Sequence, residues 1–89
     1  MLLNLYRVSY CYSEWCVFVF DTSRGRAKAR TAREFDGEYI HMRCQSLMRG
    51  VNVPFPMIVS SPDDEGYEHV LKCGHQYASD EELEELGLI

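Results

Sequence analysis

Trp15 to Phe20 reads WCVFVF, a run in which β-branched and aromatic side chains follow one another with no charged residue among them. Such a run suits a strand covered on both faces. The stretch before it, LNLYRVSYCY over residues 3–12, alternates instead. Leu5, Arg7, Ser9 and Cys11 point one way, and Tyr6, Val8, Tyr10 and Tyr12 point the other. Ser13 and Glu14 separate the two segments, which together predict a β-hairpin with one aromatic face.

Asp21, Thr22 and Ser23 are all competent N-caps, and the alanine-rich segment behind them predicts a helix from about Arg24 to Phe35, ended by Asp36-Gly37. EYIHMRCQ, residues 38–45, alternates again and predicts a third strand. Gly50, Asn52, Pro54 and Pro56 make residues 49–56 read as a loop, and Met57-Ile58-Val59 as a short strand or a buried anchor. Ser60-Ser61-Pro62-Asp63-Asp64 has a serine cap, an early proline and first-turn acids, so it predicts a helix start. Gly74 suits the end of that helix, and Ser79 with Glu82 forms a capping box for a last short helix carrying Leu83, Leu86 and Leu88. The expected architecture is α+β: a small antiparallel sheet with a ββαβ core, packed on one face by one long helix and two short C-terminal helices.

With 89 residues, 46% of them hydrophobic, residues 1–89 fit a single domain with a compact core. A domain of this size buries only about 60–65% of its unfolded surface, so a partner, a metal or a second copy would add to a thin margin. The N-terminus MLLNLYRVSYCY has no basic start, and Asn4 and Arg7 interrupt its apolar run. It therefore fits neither a signal peptide nor a membrane span, and a cytoplasmic protein is expected. In a reducing compartment the cysteines at 11, 16, 44 and 73 are expected as free thiols. Cys11 and Cys16 flank the turn and could sit across the hairpin from each other, with core packing near Trp15 the favoured role.

Charge is distributed unevenly within a net −5. Arg24, Arg26, Lys28, Arg30 and Arg33 fall in a segment without acids, whereas residues 63–85 carry nine acids against Lys72. On a helix, Arg26, Arg30 and Arg33 occupy an arc of about 60° opposite Phe35, with Ala27, Thr31 and Ala32 on the buried side. Arg24 and Lys28 lie nearer the sheet and would have to snorkel around its edge. The stripe is a candidate for binding an anion or an acidic partner, and otherwise a solvated face paired with the protein's own acids, within one molecule or across a homodimer. Glu81, Glu82, Glu84 and Glu85 form a candidate acidic partner surface. A sequence pI near 5.0 and the lack of a zinc-finger, RNP or helix-turn-helix signature make nucleic acid the less favoured ligand.

His41 with Cys44 and Cys73 with His75 are the best metal candidates. However, HxxC on a strand points its ligands to opposite faces, and CxH is tighter than a usual zinc knuckle, so neither metal nor cofactor is expected. No catalytic motif is present, and an enzyme is not expected.

The run VFVFDTSRGRAKAR followed by EYIHMRC resembles small proteins carried by bacterial phages and mobile elements, in which a strand leads into an S-R-G-x-A-K type helix and then a strand. The resemblance covers about residues 5–45 and brings no established active site. It implies a protein of the host cytoplasm that binds and blocks a larger host protein, including the anti-CRISPR and other anti-defence kinds. The alternatives from the residues themselves are a nucleic-acid or phosphate binder centred on helix 24–33 and a small structural-zinc domain.

Overall fold

Period-two alternation sets the sheet. In the computed structural model, which describes residues 1–12, 15–77, 80–85 and 87 except for the side chains of Asp80, Glu82 and Leu83, β1 (Leu2–Tyr10) pairs antiparallel with β2 (Cys16–Asp21). Leu5 lies opposite Phe20, Arg7 opposite Phe18 and Val8 opposite Val17. β3 (Met42–Asn52) adds to the far side of β1, and β4 (Met57–Val59) to the far side of β2, both antiparallel. The result is an α+β fold on a four-stranded antiparallel sheet of order β3-β1-β2-β4.

β2 and β3 run parallel with β1 between them, so their connection has to cross the sheet. Helix α1 (Arg24–Glu34) makes that crossing. Ser23 is its N-cap: the side-chain oxygen accepts from the Arg26 N–H at 3.2 Å. Beyond the helix, Asp36 takes the left-handed conformation (φ 54°), and the Gly37 N–H donates back to the Ala32 carbonyl. Ala27 and Thr31 are fully buried against the sheet, and the Thr31 hydroxyl satisfies itself on the Ala27 carbonyl at 2.8 Å.

The sheet is covered on both faces, not on one as its helix count suggests. Tyr6, Val8, Val17, Val19 and Met42 pack with Ala27 under α1. On the opposite face Leu3, Leu5, Phe18 and Phe20 pack with Val53, Val59, Tyr67 and Val70, which brings in helix α2 (Tyr67–Lys72). The unbroken apolar run of β2 requires this, because a strand that is apolar on both faces has to be covered on both. Tyr77 fastens the second layer. Its hydroxyl accepts from the Phe18 N–H at 3.1 Å and donates to the Val59 carbonyl, bridging β2 and β4, while its own N–H donates to the Tyr67 hydroxyl.

Three other expectations are corrected. Residues 39–41 form a 3-10 turn, and the strand starting at Met42 runs into the first half of the expected loop, to Asn52; with Met57–Val59 forming the short strand that was one of its two expected roles, the unit is ββαββ. The Ser60–Asp64 segment is a turn and not a helix start. The Asp64 carboxylate accepts from the Ser60 N–H, the Ser60 hydroxyl and the Ser61 N–H at 2.6–3.1 Å, closing a local ring that competes with helix. Helix therefore begins only at Tyr67. A last short helix, α3 (Asp80–Glu85), follows, and the expected cap Ser79 and the leucine face through Leu86 and Leu88 lie outside the described residues.

β3 is an edge strand. Because the Cys11 N–H donates to the His41 carbonyl, the backbone groups of His41, Arg43 and Gln45 face β1, and those of Met42 and Cys44 face outward. Arg24 reaches over from α1 and donates to the Cys44 carbonyl at 2.5 Å. Register shifts near Leu3–Tyr6, with Gly50 at φ 70° and its N–H on Asn4 Oδ1, bend the rest of the strand. Both devices blunt the edge against pairing with another chain.

Candidate functional site

The basic helix is largely occupied by the protein itself. Arg24 binds the Cys44 carbonyl, and the Lys28 ammonium sits 4.4 Å from the Tyr39 ring centroid. Arg30 is part-exposed on the stripe but already engaged: its Nε donates to Asp21 Oδ2 at 2.8 Å. The Asp21 side chain is only 2% exposed and also accepts from the Thr22 N–H at 2.7 Å, so Arg30 is the counterion of a buried carboxylate. Of the five candidate cations, Arg26 and Arg33 remain exposed without a partner among the described residues. No ion pair among the described residues joins α1 to the acids of 63–85. Glu81, Glu84 and Glu85 are exposed on α3, and the Glu82 side chain lies outside the described residues.

The metal candidates are separated by the sheet. Cys44 packs into the layer under α1, whereas Cys73 packs into the layer under α2 and His75 lies 6.3 Å from Phe18 on that side. Burial pushes both thiols up, with Arg24 pulling Cys44 partly back. His41 is instead engaged by Glu38 at 2.9 Å and by the Tyr12 ring at 4.7 Å. Among the described residues no group of three metal-competent side chains forms. Cys16 lies opposite Ser9 and not opposite Cys11, which is exposed in the turn; all four cysteines are free.

An aromatic chain at the hairpin end is visible in the sequence only in part, as the tyrosine face of β1; its links to Trp15, Phe35 and His41 are not. Phe35 contacts Trp15 (5.4 Å between centroids), Trp15 stacks on Tyr10 (5.9 Å), Tyr10 meets Tyr12 (5.8 Å), and Tyr12 meets His41. It joins the C-cap of α1, the β1–β2 turn and the 3-10 turn. Alternation had placed Tyr6, Tyr10 and Tyr12 on one face, but α1 covers that face only in part: Tyr6 is buried and Tyr12 is 73% exposed. Ile40, beside His41, is 79% exposed, and Phe35 and Tyr39 are also exposed. An open cleft of about 360 Å³ is lined by Tyr10, Trp15, Val17, Phe35 and Gly37. The spacing of Phe35 to Asp36-Gly37 and of Tyr39-Ile40 to the next strand carried the signal, since a helix stop and a strand start had to meet there.

No helix among the described residues is long and apolar enough to cross a membrane. Comparison with known proteins brings no match: no family model fits the chain, and no curated protein or solved structure is similar to it at a significant level.

Proposed function

We propose that this protein is a non-enzymatic binding module that docks on a larger protein of the host cell and blocks it, an inhibitor of the anti-defence kind implied by its likeness to phage and mobile-element proteins. The observation that carries the reading is the contiguous aromatic end, where Tyr12, exposed, meets Tyr10 on the wall of a cleft formed with Trp15 and Phe35, and where Ile40, next in the chain to Tyr12's partner His41, is exposed as well. Large aromatic side chains held against one another lose little freedom on binding, and they dominate the cores of protein interfaces. Arg33 and Arg26, exposed on the neighbouring helix, supply a polar rim that steers an acidic partner. The internal engagement of Arg24, Lys28 and Arg30 favours this reading over a nucleic-acid or phosphate binder centred on the helix.

Capture from host lysate, with and without nuclease, tests it. One protein should be retained in stoichiometric amount after nuclease treatment and be lost with Ile40→Glu. Retention that disappears with nuclease, or that Ile40→Glu leaves unchanged, contradicts the proposal.

A further inference from the structure

We infer that the sheet face on the α2 side carries an oxyanion site, built from Arg7, Ser9, Arg43 and Gln45 and fitted to a compact phosphate group. Alternation puts Arg7 and Ser9 on the same face of β1 as Leu3 and Leu5, and the β1–β3 register sets Arg7 opposite Gln45 and Ser9 opposite Arg43. The four side chains thus share one square of a rigid sheet and line a hollow of about 220 Å³. Arg7 is held in place from beneath, its guanidinium carbon 5.4 Å from the Phe18 ring centroid.

Two facts separate this pair from the helix cations. Neither Arg7 nor Arg43 meets a carboxylate among the described residues, and Arg7 Nε is buried without an acceptor among them. Two like charges diagonal across a strand pair oppose the fold, and an anion seated between them relieves that repulsion. Each guanidinium presents a rigid fork of N–H donors, Ser9 adds a hydroxyl and Gln45 an amide. One fork already satisfies a carboxylate, whereas donors converging from two strands suit the several oxygens of a tetrahedral dianion. A long polyanion would need further cations along its path and would meet a chain of net charge −5, which favours a phosphate monoester over a nucleic-acid backbone.

The test is an NMR titration of the whole protein with inorganic phosphate, ionic strength held constant with sodium chloride. Saturable shifts are expected at the Arg7 and Arg43 Nε–H groups and at the amides of Ser9 and Gln45. Arg43 is exposed, so Arg43→Gln keeps the fold; it should weaken phosphate binding about tenfold, the loss of one charge-assisted contact. Arg26→Ala with Arg33→Ala should leave it intact. Shifts that chloride reproduces, that survive Arg43→Gln, or that vanish with the helix pair overturn the site. A single-stranded oligonucleotide that moves the same amides at lower concentration than phosphate overturns the monoester assignment.

Discussion

Removing Arg30 should cost more than removing the acid it pairs with, although the two substitutions break the same contact. Asp21 is buried, its side chain 2% exposed, whereas the Arg30 side chain is 40% exposed. In Arg30→Ala the carboxylate stays buried with only Thr22 as donor, which places the loss near the lower end of that for stripping a buried charge, about 3 kcal/mol. In Asp21→Asn the side chain keeps its shape and its bond to the Thr22 N–H, and the freed guanidinium turns into water. Only the solvent-screened pair and one charge-assisted hydrogen bond are lost, about 1.5 kcal/mol. Urea unfolding at neutral pH reads the difference. At a slope of about 1 kcal/mol per molar, the two midpoints should stand about 1.5 M apart, with Arg30→Ala the lower. If Asp21→Asn costs as much as Arg30→Ala, or if Arg30→Ala is neutral, Arg30 is not the counterion that the buried acid requires and belongs with the available surface charges.

Tyr77→Phe orphans the Phe18 N–H and the Val59 carbonyl together and should cost about 1–3 kcal/mol by the same unfolding assay. Burial also raises the Tyr77 pKa above the ordinary 10.0, so the folded state holds the proton longer; thermal stability should be full below pH 10 and fall as pH rises beyond it, with a shallower fall in Tyr77→Phe. Hydrogen bonds from Ser60 and Ser61 lower the Asp64 pKa from 3.8, so its contribution is present above that value and is lost as pH drops below it; Asp64→Ala should flatten the acid limb of a pH–Tm curve. Gly66→Ala places a methyl 2.5 Å from Met57 Sδ and 2.7 Å from Val59 Cγ2, and because Val59 is buried and stiff the loss should be about 1–3 kcal/mol in a urea melt.

Elements governed by local chemistry were legible in the chain. The hairpin follows from period-two alternation in β1 and the apolar run of β2, and α1 begins at Ser23 because one side-chain oxygen meets an orphan N–H. What sequence could not supply was decided by contacts between distant residues. The extension of β3 to Asn52 depends on β1 as its partner, and the failure of the Ser60 helix start depends on one carboxylate finding three donors. The arginine stripe left open whether its charges are answered within the molecule; Arg30 is answered by Asp21, which lies nine residues upstream on a strand end that the helix wheel omits. The aromatic end and the Arg7–Arg43 pair are likewise products of register: their members are ordinary strand and turn residues until pairing sets them side by side.

The central claim is that docking runs through the aromatic end and that the helix arginines only assist. It is tested most directly by comparing two variants in one salt-controlled binding experiment against the captured host protein: Tyr12→Ser with Ile40→Ser, and Arg26→Glu with Arg33→Glu. Tyr12→Ser with Ile40→Ser should abolish binding at every salt concentration, while the arginine pair should slow association and lose its effect as salt rises. Binding that survives Tyr12→Ser with Ile40→Ser but is abolished by the arginine pair would contradict the docking role of the aromatic end.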